Sequence, residues 1–324
     1  MNLTEFPKVA SVQQKFRDEI LEGLQTHPKR LPSKYFYDQK GDQLFQQIMA
    51  SPDYYLTRCE LEIFKDQTAA LARVITTGIE SFDLIELGAG DATKSFYLLD
   101  YLTQQKQPFH YYPIDISGNI LEVLQKDMER RIPELKLTCL EGEYFEMLQQ
   151  AYSISSKRKV VLFLGSNIGN MPVAEAYEFC MQLQKQLQPG DIVLMGFDLK
   201  KRPEVILNAY DDKLGITARF NLNLLERINR ELEGNFEIDG FEHYQMYDPE
   251  SGACKSYLVS LAEQTVTVGG ENISFAKDEW IYMEISQKYD LHQIEQMATA
   301  SGFESLFSFF DNKKWFTDCI WQVK

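Results

Sequence analysis

The most chemically suggestive run in the chain is Leu84-Ile85-Glu86-Leu87-Gly88-Ala89-Gly90-Asp91, an apolar segment ending in a Gly-x-Gly turn. Glycines there let a ligand approach the backbone, and a helix starting just beyond offers N–H groups to it. A tight connection without a ligand uses the same two glycines. The third glycine of the dinucleotide pattern is missing, because Thr93 and Lys94 occupy that region, so nicotinamide and hydride chemistry are disfavoured. About 25 residues after the turn, Asp115 closes the next apolar run, where doubly wound folds hold the carboxylate that binds ribose hydroxyls. Its alternative role is a helix cap in Asp115-Ile116-Ser117. Gly142-Glu143-Tyr144 suits either the edge of an adenine ring or a solvated turn. Gly165-Ser166-Asn167-Ile168-Gly169-Asn170 is a polar loop after a further apolar run, and open α/β sheets bind ligands beyond the carboxyl ends of their strands. Asn170 also reads as the cap of the following helix, and the two roles are compatible.

Other chemistries find little support. His27, His110, His243 and His292 are isolated and no Cys-x-x-Cys pair occurs, so no metal is expected. No Gly-x-Ser-x-Gly elbow is present. Asp211-Asp212 reads as a solvated helix end rather than a catalytic dyad.

The elements that must position these residues alternate between short apolar runs and helical patterns from about residue 60 to 200. Asp83–Leu87, Tyr111–Ile114, Leu135–Leu140, Lys159–Leu164 and Asp191–Phe197 are the expected strands of a parallel sheet covered by helices. The clearest helix spans Val173–Leu187 and stops at Gln188-Pro189-Gly190-Asp191. After Asp198 the rhythm changes. Helical patterns cover Pro203–Asp212 and Asn221–Glu233, and β-like alternation covers Phe236–Tyr247 and Lys255–Glu263. The α/β pattern returns from Lys288, with a helix at Leu291–Ser301 and strands at Ser305–Phe310 and Trp315–Val323. The expected organisation is a core over residues 60–198 and 287–324, with a discontinuous α+β cap over 1–59 and 199–286.

Composition narrows the partners. Among 324 residues, 48 acidic against 33 basic side chains give a charge of −15, which repels nucleic acid and anionic membrane and suits a cationic or zwitterionic small molecule. The five scattered cysteines read as reduced, and the opening lacks a basic start and apolar stretch, so a cytoplasmic protein is expected.

Several blocks, in order, resemble the histidine-specific Nα-methyltransferase family of ergothioneine biosynthesis over nearly the whole chain. They are LPSKYFYD, SPDYYLTR, LIELGAGDATKS, PIDIS, VVLFLGSNIGN with LQPGD, AYDDKLGIT, FEH and MEISQKY. The resemblance implies a Rossmann-like, S-adenosylmethionine-dependent methyltransferase core with a second domain, acting on a free amino acid; a monomer is expected. It implies cofactor contacts at Tyr37, Gly88, Lys94, Asp115, Glu143 and Tyr144. Lys94 would take the methionine carboxylate, Asp115 the ribose hydroxyls, Glu143 the adenine amine and Tyr144 the adenine face, with Tyr37 closing the pocket. For the substrate it implies Tyr54, Asn170, Tyr210, Glu284 and Ser286. Asn170 and Tyr210 would hold the carboxylate, Glu284 and Ser286 the imidazole, and Tyr54 with Asn170 would orient the amine. Taken alone, Glu284 and Ser286 sit two apart and would share one face of a strand, whether in a pocket or exposed. Ser256 stands where the family usually has methionine, and Asn167 where threonine is common. Histidine converted to its Nα,Nα,Nα-trimethyl betaine is the expected reaction. Another aromatic amino acid, such as a tyrosine or tryptophan derivative, is the alternative, and a non-catalytic cofactor-binding protein is the outside alternative.

Overall fold

The apolar runs pair as a doubly wound sheet. In this computed structural model, which describes residues 5–324 and side chains from residue 12 onward, the helices are α1 (Glu5–Gln25), α2 (Gln39–Ala50), α3 (Tyr55–Thr76), α4 (Phe96–Gln104), α5 (Gly118–Arg131), α6 (Tyr144–Ile154), α7 (Val173–Gln186), α8 (Pro203–Tyr210), α9 (Ile216–Glu231) and α10 (Leu291–Ala300). The strands are β1 (Lys29–Arg30), β2 (Phe82–Leu87), β3 (Phe109–Asp115), β4 (Leu140–Glu141), β5 (Arg158–Phe163), β6 (Ile192–Asp198), β7 (Phe241–Asp248), β8 (Ala253–Ser260), β9 (Gln264–Val268), β10 (Glu271–Phe275), β11 (Trp280–Gln287), β12 (Phe303–Phe310) and β13 (Phe316–Val323).

The described backbone divides into two compact units, one that runs to residue 54 and resumes over 203–285, the other of 55–202 and 286–324. Residues 1–4 of the cap expected over 1–59 lie outside the described residues. The expected cut after residue 59 falls inside α3, which is continuous from Tyr55, so the whole helix goes with the second unit. Residues 199–202 go with it too, because the amide of Lys200 donates to Tyr289 O and that of Tyr289 to Asp198 O, at 2.8 and 3.0 Å.

The second unit carries a seven-stranded sheet in the order β12-β13-β6-β5-β2-β3-β4. Strands β6, β5, β2, β3 and β4 run parallel, and β13 and β12 add antiparallel at the edge. Every residue of β2 is buried, as a central parallel strand covered on both faces requires. Ile85, Val161, Val193 and Trp321 belong to one apolar core. From β2 the chain winds outward through β3 and β4, then returns to β5 on the other side. The switch point therefore lies at the carboxyl ends of β2 and β5.

The first unit holds a four-stranded sheet ordered β1-β11-β8-β7 and a separate β9–β10 hairpin. That hairpin, unforeseen in the sequence reading, turns at Gly269-Gly270, both at positive φ, which a two-residue hairpin loop favours.

Three expectations are corrected. The strand expected over Leu135–Leu140 shrinks to β4 plus a lone bridge between Tyr111 and Leu137, since an edge position pairs on one side only. Helix α9 starts at Ile216 rather than Asn221. Asp212 is buried, and its carboxylate accepts from the amides of Ile216 and Thr217 at 2.9 and 2.7 Å, so it anchors a helix start instead of sitting in solvent.

Candidate active site

In the second unit, the Gly-x-Gly turn sits at the switch point. Gly88 has φ +70° and Gly90 φ +55°, and the amides of Gly88 and Ala89 both donate to Ile114 O. A Cβ on Gly88 would lie 2.8 Å from Asn167 Nδ2 and 2.9 Å from the Tyr144 hydroxyl. Three segments therefore converge on one α carbon: the turn after β2, the first residue of α6 and the loop after β5. Asp115 braces the turn, its carboxylate accepting from the amides of Gly90 and Ser117, each at 3.0 Å. Burial raises its pKa, against the opposing pull of those amides. Capping of α5 falls to Ser117, which accepts from the Ile120 amide, so the cap alternative for Asp115 gives way to an Asx turn. Tyr144 packs edge-on against Phe163 at 5.6 Å. Glu143 is exposed at the start of α6 and does not cap it.

Beneath this turn lies a cluster of acids that sequence reasoning missed. Lys94, expected to take the cofactor's carboxylate, is ion-paired with the buried Glu60 of α3. Burial would lower its pKa, but Glu60 outweighs that and the ammonium is held above its usual value. Both Glu60 oxygens accept from the Gly165 amide, at 2.8 and 2.9 Å. Asp318 of β13 is fully buried, and burial together with Glu60 pushes its pKa well above the ordinary aspartate value, which favours the neutral acid. Glu86 is pushed up to about 7 by burial, while Tyr111 donates to it at 2.5 Å. An acid inside an otherwise apolar pattern is the only sequence signal these positions carry.

The loop after β5 links this turn to a second set of predicted residues. Ser166 sits at φ +58°, and its hydroxyl accepts from the Asp198 amide at 3.2 Å. A Cβ on Gly169 would lie 2.8 Å from Gln287 O, and the Tyr289 hydroxyl donates to Ile168 O at 3.4 Å. The loop thus leans on the segment that carries Ser286. Asn170 is exposed at the end of the 3-10 turn Asn167–Asn170. Pro172, not Asn170, occupies the N-cap of α7, so the cap reading of Asn170 falls away. Ser286 is buried and accepts a hydrogen bond from the Lys288 ammonium at 2.7 Å.

The first unit brings three predicted aromatics together. Tyr54 meets Tyr210 edge-on with centroids 5.9 Å apart, and Phe45 bridges Tyr54 to Tyr37. Glu284 lies on β11, half-buried. Ser256 is buried on β8 and donates to Gln245 Oε1 of β7 at 2.7 Å. His243, neighbouring Gln245 along β7, is held neutral by burial, its pKa pushed down to about 4.

Among the described residues no group of side chains has the makings of a metal site, and no helix is long and apolar enough to cross a membrane. The sheet order, with the glycine turn and Asp115 ending adjacent strands, defines a Rossmann-like α/β core. Residues 16–323 match the family model described as "Histidine-specific methyltransferase, SAM-dependent". The chain is 32% identical to the histidine N-alpha-methyltransferase of Mycobacterium tuberculosis, covering 93% of this chain and 91% of that protein. It is 31% identical to the enzyme of the same name from Mycolicibacterium smegmatis, over 98% and 96% of the two chains. An L-tryptophan methyltransferase from Psilocybe serbica is 27% identical, over 92% and 90%. The chain belongs to the histidine-specific, S-adenosylmethionine-dependent methyltransferase family. It is a methyltransferase, and S-adenosylmethionine is its methyl donor.

Proposed function

We propose that this enzyme methylates the α-amino group of free L-histidine, repeatedly, to the Nα-trimethyl betaine that feeds ergothioneine biosynthesis. The family and the two mycobacterial relatives support the substrate. The observation that carries the reading is the turn Asn167–Asn170. Asn167 faces the Gly88 α carbon, and Gly169 packs on Gln287, the neighbour of Ser286. One short turn thus borders both the donor turn and a substrate residue.

The residues present suit the donor. A side chain at Gly88 would fill the space at the turn, Tyr144 offers an aromatic ring beside it, and the half-buried Asp115 carboxylate, which braces the turn, would take the ribose hydroxyls. Lys94 would hold the methionine carboxylate while staying tethered to Glu60, Glu143 would contact the adenine amine, and Tyr37 would contribute to donor binding. The donor supplies an electrophilic methyl on a sulfonium. The protein's task is then to align a neutral amine and exclude water, which can account for much of the acceleration. Asn170 and Tyr210 would bind the substrate carboxylate, Tyr54 and Asn170 would orient the amine, and Glu284 and Ser286 would read the imidazole. The carboxylate and ring persist through each product, so binding survives successive transfers. The five cysteines are unbridged, which suits a reducing cytoplasm.

The buried Ser256–Gln245 pair favours a second reading, an aromatic amino acid other than histidine. Titration of histidine, tyrosine and tryptophan into the enzyme holding demethylated donor, followed by mass spectrometry of turnovers, separates the two. We expect histidine to gain up to three methyl groups, and Asn170→Ala to weaken its binding at least tenfold. Unchanged affinity and rate in that variant would remove Asn170 from the site, and a monomethyl product at long times would end the trimethylation reading.

A further inference from the structure

The buried polar network under Ser286 has a polarity. Asp198, the last residue of β6, is fully buried and accepts from three groups: the Tyr55 hydroxyl at 2.7 Å, the Lys288 ammonium at 2.7 Å and the Lys201 ammonium. Lys201 also donates to the Tyr55 hydroxyl at 2.9 Å. Burial alone would raise the Asp198 pKa, but the two ammoniums outweigh it and hold the carboxyl below the usual range. The carboxylate is therefore ionised, and Lys288, itself fully buried, is anchored by a charge-assisted bond. The next bond runs from Lys288 Nζ to Ser286 Oγ, at 2.7 Å. An ammonium has only protons to offer, so the Ser286 oxygen must accept. The single hydroxyl proton must point elsewhere, and accepting from a cation polarises the O–H and strengthens it as a donor.

We propose that Lys288 is a positioning residue that fixes Ser286 as a hydrogen-bond donor, so that this site selects amino acids whose side chain carries an acceptor atom, such as the unprotonated ring nitrogen of a neutral imidazole. The inference rests on Ser286 contacting the substrate side chain, as proposed above, and goes beyond it by assigning the direction of the bond and the residue that sets it. Its corollary is that Lys288 and Asp198 act on specificity without touching the substrate.

Two histidine isosteres separate donor recognition from shape. β-(Thiazol-4-yl)alanine keeps a ring nitrogen acceptor but has no N–H, and β-(2-thienyl)alanine has neither. Each is titrated beside histidine into the wild type and into Lys288→Met, Lys288→Arg and Ser286→Ala, all holding demethylated donor, with thermal unfolding to check folding. The wild type should bind the thiazole at least tenfold tighter than the thiophene. That ratio should collapse toward one in Ser286→Ala and Lys288→Met and recover in Lys288→Arg, while donor affinity stays the same. Equal binding of the two isosteres by wild type overturns the proposal, as does an undiminished ratio in Lys288→Met. Should Lys288→Met fail to fold, Ser286→Ala decides, because a ratio kept without the hydroxyl refutes the donor role. If histidine binds but the isosteres are not distinguished, the donor inference fails and the histidine reading stands. If the thiazole is preferred while histidine is not methylated, the reverse holds.

Discussion

Glu86 offers a direct test of the acid cluster beneath the donor turn. It lies on β2, two residues before Gly88, is almost fully buried, and has its pKa pushed from 4.5 up to about 7 by burial. The folded protein therefore holds a proton that the unfolded chain releases above about pH 4.5. The stabilising influence of this group is complete below that pH and is lost as pH rises through about 7. At about 1.4 kcal/mol per pKa unit, the change across that window is about 3 kcal/mol. Glu86→Gln keeps the shape and an acceptor for the Tyr111 hydroxyl but has no proton to lose. Urea unfolding of both proteins at half-unit steps from pH 4.5 to 8 should give curves that diverge, the variant gaining on the wild type by roughly 3 kcal/mol as pH rises. Most of the divergence should be complete by about pH 7. Parallel stability curves would mean that Glu86 is ionised in the folded protein throughout, and that the neutral-acid picture of this cluster is wrong.

Two further outcomes follow from the turn itself. Gly88→Ala and Gly90→Ala both place alanine at positive φ, at a cost of about 1–2 kcal/mol each. Only Gly88→Ala also drives a methyl against Asn167 and Tyr144, whereas nothing lies within 4 Å of a Cβ on Gly90. Calorimetric melting should therefore rank Gly88→Ala below Gly90→Ala, and equal melting temperatures would contradict the crowding at Gly88. Asp115→Asn keeps one acceptor for the turn amides but removes the charge. Isothermal titration should give a donor affinity at least tenfold weaker, in line with about 1.5–3 kcal/mol for a charged hydrogen bond, and an unaltered affinity would exclude Asp115 from the ribose site.

How much of this was legible in the chain depends on how local the physics is. The strands of the sheet were readable because apolar runs followed by turn residues specify buried parallel strands wherever they occur. The Gly88 turn, Asp115 and the loop before Asn170 were readable too, since each lies at or just beyond the carboxyl end of a strand. The failures have a common origin. Asp212 looked solvated because its partners are the amides of Ile216 and Thr217, in the first turn of a helix that the sequence pattern had placed only from Asn221. Glu60 and Asp318 went unremarked because their partners lie far along the chain.

The sequence by itself determined the α/β core, the family and the donor, because local pattern and motif order carry that information. Only the tertiary structure decided that Asn170 does not cap α7, that Lys94 is already paired, and that Ser286 accepts from Lys288. Those facts depend on which distant side chains burial forces together. Once two charges or hydroxyls share a dry site, their protonation and hydrogen-bond direction follow from each other rather than from the residues on either side.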